Sequence, residues 1–330
     1  MPTADPVTVY LDMNHWYALG AARIGRPGQP EHVEIFERLQ ELVAQGRLVC
    51  PLSAVHYMEL TENPRAGLRQ EAASAMILLS TFSTLPSIDL VVVEELEQEL
   101  HRRFGKPQDP MVVPKLGWGA GFAFGQPISI EPSAELAARL GDSAEQAKLE
   151  ANYLLEKSIL ESTDATRDEI PGYNPNSARA IAHKQIATLK DYIAAMRADP
   201  EFSKRPVDAI YAWQLSAEIL DQYTRALIRA GFVGAMRPFK SKDEMTDFVD
   251  HLPSRRVAAR MYVQYVKNRA VEWKVNDLRD VAALSLAIPY CDVVATDRKA
   301  WNAANEARLG EEFGTGIYAT LKDLAAHLNL

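Results

Sequence analysis

Short β-branched strands alternate with amphipathic helices at both ends of this chain, and this alternation constrains the fold more than any other feature. The first predicted strand is VTVYL at Val7 to Leu11, an apolar run that lies between a proline and an aspartate. Three further short strands are predicted at 48–50, 292–295 and 316–319. Parallel strands need crossover connections, which are usually helices. The alternation therefore predicts an α/β fold with a parallel sheet covered on both faces.

Hydrophobic periodicity predicts the helices between these strands. The segment 31–45 places apolar residues on one face and stops at Gly46, and Ser53 is a predicted N-cap for a helix that carries Glu59. Further helices are predicted at 67–84, 94–103, 257–275, 277–288 and 299–308, with a last helix at the C-terminus. The two ends of the chain thus share one α/β pattern.

The middle of the chain differs from the two ends in composition and in hydrophobic periodicity. Residues 105–132 contain five glycines and five prolines, including GWGAGFAFG at 117–125, which is typical of a loop. From 133 to about 250 the periodicity is almost entirely helical. We therefore predict one α/β domain split in sequence, residues 1–104 and 255–330, with an all-helical insertion at 105–254.

Composition excludes several classes of protein. The net charge of −8 argues against a general nucleic-acid coat protein, although a nuclease needs only a local cluster of acids around its cations. Two cysteines, Cys50 and Cys291, are too few for a disulfide framework or a cysteine-rich zinc site and are predicted to be buried thiols. No apolar run is long enough for a bilayer, and the first residues lack a signal-peptide pattern. We expect a cytoplasmic protein.

Four carboxylates occupy strand ends or helix starts. Asp12 directly follows the first strand and Asp297 follows DVVAT, so both are expected at the carboxyl edge of the sheet, where ligands bind in open α/β folds. Glu59 lies on the helix after the second strand, and Asp280 lies in the first turn of the helix before DVVA. Taken singly, each acid has a structural explanation as a cap, turn or surface charge. Their joint placement favours a shared site.

The motifs around these acids resemble those of the PIN-domain nucleases. The matching segments are YLDMNHW at 10–16, PLSAVHYMEL at 51–60 and DLRDVAALSLAIPYCDVVATDRKAW at 277–301. The resemblance covers about 180 residues at the two ends, whereas the helical middle departs from the compact family pattern. It implies a PIN-like α/β domain and a divalent-metal-dependent endonuclease that hydrolyses phosphodiester bonds, with RNA preferred over DNA as substrate on family grounds.

The same resemblance implies a role for particular side chains. It makes Asp12, Glu59, Asp280 and Asp297 the catalytic acids that bind Mg²⁺ or Mn²⁺, with Asn14, Ser53 and Thr296 as polar residues that orient them. Asp277 competes with Asp280 for the third position; we prefer Asp280 because its 17-residue distance to Asp297 is closer to the family spacing. An all-carboxylate set suits hard divalent cations, which activate water for attack on phosphorus.

Substrate contacts and partners are less constrained by the sequence. Basic residues near the acids are either a solvated face or a contact surface for phosphates, namely Arg256, Arg260, Lys274 and Arg298. A second interpretation is a non-catalytic PIN-like protein that binds nucleic acid or a protein partner. A third is the toxin of a toxin–antitoxin pair, although the chain is longer than compact family toxins. The complete acid set favours catalysis over these alternatives.

Overall fold

The computed structural model describes residues 5–26, 30–126, 128–161, 175–200, 204–232, 239–267 and 273–330. These residues form an α/β structure with a four-stranded sheet in the order β2-β1-β5-β6 and a separate two-stranded sheet, β3-β4. The strands are β1 (Val7–Leu11), β2 (Leu48–Val49), β3 (Ser83–Thr84), β4 (Gly117–Trp118), β5 (Val293–Ala295) and β6 (Gly316–Tyr318). Strands β1 and β2 pair in parallel, and so do β5 and β6. The predicted α/β class and all four predicted strands are confirmed.

Helices make up most of the described chain. In the first half they are α1 (Met13–Arg23), α2 (Glu31–Ala44), α3 (Ala54–Glu62), α4 (Ala66–Ser80), α5 (Ile88–Phe104), α6 (Gly119–Phe124), α7 (Ala134–Leu140) and α8 (Ala144–Glu161). In the second half they are α9 (Pro175–Ala198), α10 (Pro206–Trp213), α11 (Leu220–Arg229), α12 (Lys242–Asp250), α13 (Pro253–Lys267), α14 (Val275–Tyr290), α15 (Arg298–Glu306), α16 (Leu309–Phe313) and α17 (Leu321–Leu328). No helix of the described residues is long and apolar enough to cross a bilayer.

The chain divides into two compact units, each built from separate stretches of sequence. Unit 1 contains residues 1–85, 116–175 and 320–330, and unit 2 contains residues 86–115 and 176–319. Both units draw on the central segment as well as on the ends of the chain. The compact units therefore divide the chain differently from the three sequence segments 1–104, 105–254 and 255–330.

In unit 1, helix α1 packs directly against helix α4. Gly20 lies at this contact, and a Cβ atom added there would come within 2.5 Å of the backbone oxygen of Glu71 and 2.8 Å of the amide nitrogen of Ala72. Both neighbours are backbone atoms of α4, which cannot move aside as a side-chain tip can. The glycine is therefore required for the two helices to approach each other.

The glycine-rich segment 117–125 is ordered, so the prediction of a loop is wrong for these residues. Strand β4 pairs antiparallel with β3, and α6 follows it directly. The buried carboxylate of Glu156 on α8 accepts a hydrogen bond from the backbone nitrogen of Ala120 at 2.9 Å. Gly119 has a φ of +77°, and a Cβ atom there would lie 2.3 Å from Glu156 Oε1. The segment is held by a distant acid that local sequence patterns do not reveal.

In unit 2, helix α5 buries glutamates that fix a neighbouring connection. Glu94 accepts hydrogen bonds from the Lys115 ammonium at 2.7 Å and from the backbone nitrogen of Val113 at 3.2 Å. Glu97 accepts from the backbone nitrogen of Met111 at 2.8 Å. These bonds compensate the carboxylates for lost hydration, because buried charges are stable only when paired.

A third glutamate of α5 ties that helix to α13 and α14. Glu95 accepts hydrogen bonds from the backbone nitrogen and the hydroxyl of Ser254, at 2.9 and 2.6 Å, and from the hydroxyl of Tyr290. Burial raises the pKa of Glu95, and the bonds from Ser254 and Tyr290 act in the opposite direction. The carboxyl group is thus an internal crosslink between three helices.

The two cysteines behave as predicted. Cys50 and Cys291 are both buried, and they are not joined in a disulfide. Burial raises the pKa of the Cys50 thiol, because the charged thiolate is poorly solvated in the core. Cys50 is therefore an unreactive core residue.

Gly20→Ala should destabilise unit 1 by roughly 1–3 kcal/mol, the usual cost of forcing extra atoms into a packed contact. Gly67→Ala is the matched control on α4, because the atom nearest to its added Cβ lies 4.0 Å away. The control should be neutral or more stable by up to about 1 kcal/mol, since alanine favours helices more than glycine does. Urea denaturation of both variants measures the difference. Equal stabilities would contradict the close approach of α1 and α4.

Candidate metal-binding carboxylates

Asp12 and Asp297 occupy equivalent local positions, each one immediately before a helix and just beyond a strand. Asp12 is the N-cap of α1 with φ −67° and ψ 160°, and Asp297 is the N-cap of α15 with φ −68° and ψ 161°. Asp12 Oδ1 accepts a hydrogen bond from the backbone nitrogen of Met13 at 2.7 Å. Asp297 Oδ1 accepts one from the backbone nitrogen of Ala300 at 2.7 Å. Each helix start fixes the direction of its carboxylate.

His56 connects the end of β1 to the start of α3 in unit 1. Its Nε2 lies 2.7 Å from the carbonyl oxygen of Leu11, and its Nδ1 accepts a hydrogen bond from the backbone nitrogen of Ser53 at 3.0 Å. A carbonyl can only accept and an amide can only donate, so the neutral ring carries its proton on Nε2. Tyr10 stacks on the ring at 4.9 Å between centroids. Burial lowers the pKa of His56 to about 4.

Sequence reasoning missed His56, which is not among the residues selected from the motifs. The available signal was the spacing Ser53-x-x-His56 at a predicted helix start, which is a capping box with histidine at the position usually held by Glu or Gln. Ser53 itself is buried as the N-cap of α3, as predicted, and its hydroxyl lies 3.3 Å from the Tyr10 hydroxyl. The predicted polar residue therefore takes part in the connection that positions α3.

Glu59 lies half-buried on α3, one turn after His56. Its charge acts on Tyr17 of α1: burial raises the pKa of the Tyr17 hydroxyl, and the negative charge of Glu59 raises it further. Asn63 donates a hydrogen bond to the same hydroxyl at 2.7 Å. Unit 1 thus brings Glu59 to the side of α1, the helix that Asp12 caps.

Asp277 and Asp280 lie three residues apart on α14 but differ in their surroundings. Asp277 is buried; its Oδ2 accepts from the backbone nitrogen of Lys274 at 2.9 Å, and its Oδ1 is paired with the ammonium of Lys299. Both oxygens of Asp277 therefore have protein partners. Asp280 is half-buried, and its side chain belongs to the next turn of the helix. The choice between Asp277 and Asp280 as a metal ligand stays a prediction.

The remaining polar candidates also have defined positions. Thr296 is buried between β5 and Asp297, and its backbone nitrogen donates to the carbonyl of Tyr318 on β6 at 3.0 Å. Asn14 is exposed in the first turn of α1. Thr296 thus fixes the backbone just before one acid, whereas Asn14 lies next to the other with its side chain accessible.

The predicted basic residues fall into two groups. Arg256 forms ion pairs with Asp250, at 3.7 Å, and with Glu312, and Arg260 lies 3.9 Å from Asp250. Lys274 and Arg298 are exposed at the starts of α14 and α15. The two exposed residues are the better candidates for contact with a phosphate backbone.

Within the described residues, the candidate acids do not lie close enough together to form a metal site. Within the part of the chain that the structure describes, no group of three or more His, Cys, Asp or Glu side chains is placed to hold a metal ion. The assignment of Asp12, Glu59, Asp280 and Asp297 as ligands therefore stays a prediction. It depends on the chemistry of the carboxylates and on the positions of Asp12 and Asp297 just beyond strand ends.

Comparison with known proteins does not identify a family. No protein-family model, no curated protein and no solved structure matches this chain. Functional inference therefore depends on the α/β fold, the local geometry of the acids and the sequence motifs.

His56 predicts a specific dependence of stability on pH. An unfolded histidine takes up a proton near pH 6.5, whereas the folded protein resists protonation down to a pKa of about 4. The stabilising contribution is therefore complete above pH 6.5 and is lost as the pH falls towards 4, by roughly 3 kcal/mol in total. His56→Gln removes this titration while keeping a capping-box residue at that position.

The measurement is the free energy of unfolding of parent and His56→Gln at pH 7.5 and pH 4.5. The variant should be less stable at pH 7.5, and its deficit should shrink by roughly 2–3 kcal/mol at pH 4.5. Replacement of the exposed His183 by Gln is the control and should give the parent's pH profile. A deficit that is the same at both values would contradict a buried neutral His56.

Lys299→Met should leave the buried carboxylate of Asp277 without its charge partner. Because Lys299 is itself about one-third exposed, we expect a loss of roughly 1–3 kcal/mol, below the cost of breaking a fully buried pair. Asp277→Asn in the same background should recover part of that loss, since the amide oxygen can still accept from Lys274. Thermal denaturation of the two single variants and the double variant gives the coupling energy. A coupling near zero would mean that this pair does not stabilise α14.

Proposed function

We propose that this protein is a divalent-metal-dependent endonuclease of the PIN-like type, with RNA as its preferred substrate. The proposed ligands are Asp12, Glu59, Asp280 and Asp297. The observation that carries the proposal is the matched placement of Asp12 and Asp297, each beyond the carboxyl end of a parallel strand and capping the following helix. In open α/β sheets, ligands bind beyond the carboxyl ends of the strands.

The donor set agrees with the proposed cofactor. Mg²⁺ and Mn²⁺ prefer carboxylate oxygens and water, and the four proposed ligands are all carboxylates. When bound, such an ion would neutralise charge on the phosphate and lower the pKa of water for attack on phosphorus. One carboxylate oxygen of Asp12 and one of Asp297 each accept a hydrogen bond from a backbone N–H, and this bond orients the carboxylate before any ion binds. That orientation reduces the reorganisation needed on binding.

Other residues of the chain support these positions. His56 holds the carbonyl of Leu11, the residue before Asp12, and the start of the helix that carries Glu59. Lys274 and Arg298 are exposed near the proposed ligands of unit 2 and can contact phosphate groups. Asp277 has the supporting role of holding Lys299 and the start of α14.

Capping alone also explains why aspartates occupy positions 12 and 297, so the experiment must separate capping from metal binding. Asparagine is as good an N-cap as aspartate but a much weaker ligand for hard cations. Asp12→Asn should therefore fold normally and lose cleavage of single-stranded RNA by roughly 100-fold or more, the usual cost of removing one essential electrostatic group. Asp292→Asn is the control, because this exposed residue lies at the opposite end of β5 from Asp297.

Melting curves with chelator and with Mn²⁺ complete the test. The parent should be stabilised by Mn²⁺, by about 2.7 kcal/mol at a hundredfold excess over Kd, and Asp12→Asn should respond much less. Asp292→Asn should match the parent in both measurements. A parent protein that ignores Mn²⁺, or an Asp12→Asn variant that cleaves at the parent rate, would refute the metal-dependent mechanism and favour a binding protein.

A further inference from the structure

Unit 1 carries a helical hairpin that its own core does not cover. A short 3₁₀ turn joins helix α7 to helix α8, and the two helices pack against each other. No residue from 128 to 151 is buried, and the first buried residue of α8 is Asn152. Short helices are marginally stable without tertiary packing. The hairpin therefore lacks, within one chain, the burial that normally stabilises such helices.

Large apolar side chains are exposed on and beside this hairpin. Leu149 of α8 is 58% exposed and Tyr153 is 48% exposed. The others are Trp118, Ile128, Ile130 and Leu136, which are 37–45% exposed. Together these six residues expose roughly 500 Å², if a fully exposed residue of this size offers about 200 Å². Apolar surface of this extent on a single chain usually marks an interaction site.

Two aromatic residues of this surface share a buried neighbour. Trp118 and Tyr153 both meet Phe82 nearly edge to face, at 5.7 and 5.2 Å between ring centroids. Phe82 is almost fully buried, so it fixes both rings against the core of unit 1. Trp118 of β4 and Tyr153 of α8 therefore lie close together at the surface.

Leu149 connects this aromatic pair to Ile130. The backbone nitrogen of Ile130 donates to the side-chain oxygen of Asn152 at 2.7 Å, and the Asn152 amide donates back to the carbonyl of Ile130 at 3.0 Å. Leu149 lies three residues before Asn152 and four before Tyr153, so it neighbours both on the helix surface. The exposed apolar side chains thus surround Leu149, and we call this area the α8 patch.

A stripe of residues at four-residue spacing crosses the α8 patch. Its members are Glu145, Leu149, Tyr153 and Lys157. They present a negative charge, two apolar groups and a positive charge, in that order. When a second α8 lies antiparallel to the first, the stripe matches itself: Glu145 faces Lys157, and Leu149 faces Tyr153. Rows of this spacing pack into each other in the commonest type of helix–helix contact.

Both charges at the ends of the stripe are accessible. Glu145 is exposed at the start of α8. Lys157 has a partner in its own helix, Glu161 at 3.8 Å, and both side chains of that pair are exposed. An exposed pair of this kind contributes little to stability, so Lys157 can exchange Glu161 for another acid.

We propose that the α8 patch binds a second copy of this chain, with the two α8 helices antiparallel. The self-complementary stripe favours a second copy over a different protein, because in a two-fold dimer each contact between unlike residues occurs twice. A standard interface takes roughly 800 Å² from each partner, somewhat more than half of it apolar, and the α8 patch meets that need. This dimer goes beyond the proposed endonuclease activity and involves none of its metal ligands.

Charge argues against a membrane or a nucleic acid as the occupant. Residues 128–151 contain five acidic and two basic side chains. Anionic lipids and nucleic-acid phosphates attract basic surfaces instead. The net negative charge of the hairpin is therefore unfavourable for either of these partners.

Sedimentation equilibrium of the full chain, with chelator and without RNA, tests the proposal. We expect a monomer–dimer equilibrium with a Kd on the order of 10 µM or tighter, as for interfaces of this size. Leu149→Glu should weaken dimerisation by roughly 100-fold, because each copy then buries an unpaired charge at the centre of the interface. Leu220→Glu is the matched control, since Leu220 is a similarly exposed leucine on α11 of unit 2, and its Kd should equal that of the parent.

Charge reversal tests the antiparallel register. Glu145→Lys alone or Lys157→Glu alone should raise Kd roughly three- to tenfold at low salt, because like charges then face each other at both ends. A mixture of the two single variants should form a mixed dimer with the parent's affinity, since each acid then faces a base. The double variant, which carries both reversals in one chain, should recover the parent's Kd for the same reason.

Two results would overturn the proposal directly. One is a parent that stays monomeric at on the order of 100 µM, where an interface of this size should be largely formed. The other is a Leu149→Glu variant that dimerises as tightly as the parent, with circular dichroism showing that it is folded. A double variant that binds itself more weakly than either single variant would exclude the self-paired stripe and point to a different protein as occupant.

These measurements are independent of the proposed chemistry. Because neither a divalent ion nor RNA is present, a failure of the endonuclease proposal leaves the dimerisation results unchanged. Conversely, a monomeric parent says nothing against the metal-binding carboxylates. If Leu149→Glu is unfolded, the mixture of the two charge variants decides, because both substitutions are at accessible side chains.

Discussion

The neutral imidazole of His56 joins the two segments of unit 1 that carry Asp12 and Glu59. The carbonyl at the end of β1 and the amide at the start of α3 are both buried polar groups that need partners, and one ring satisfies both. A protonated ring could not accept from Ser53, so the connection exists only in the neutral form. The residue beside this connection is Asp12, and the next turn of α3 carries Glu59. The location of these acids is therefore fixed by a residue that has no chemical role of its own.

The carboxylates discussed above fall into two groups that differ in burial and in partners. Glu94, Glu95, Glu97 and Asp277 have protein donors on their oxygens and act as internal crosslinks. The proposed metal ligands are less buried and lie at strand ends or on the exposed side of helices. Residues three apart share a helix face, so spacing alone could not separate Asp277 from Asp280. The partners that hold both oxygens of Asp277 are Lys274 and Lys299, and the Lys299 pairing is visible only in the tertiary structure.

The strands and most helices could be predicted from sequence because they depend on local periodicity. VTVYL and DVVA are recognisable as buried strands without knowledge of their neighbours, and Ser53 is recognisable as a cap. The strand and helix at residues 117–125 could not be predicted, because they depend on Glu156, a residue more than thirty positions away. The glycines there suggested a loop, whereas they permit close approach to a buried acid. Likewise, the convergence of four acids is a tertiary property that strand-end placement suggests but does not establish.

Residues Gln214–Glu218, between α10 and α11, form a π-helical turn, which holds one residue more than a regular α-helical turn. Removal of one residue from this turn would restore an i to i+4 hydrogen bond and let α10 and α11 run as one regular helix. The side chains on both would be retained, and Trp213 and Glu218, then four residues apart, would still lie on one face of the helix. Gln214, in the same turn, has a buried side-chain amide without a hydrogen-bond partner among the described residues, which costs free energy. A single-residue deletion therefore tests whether the extra residue itself is needed, which substitution scans across this helix do not test.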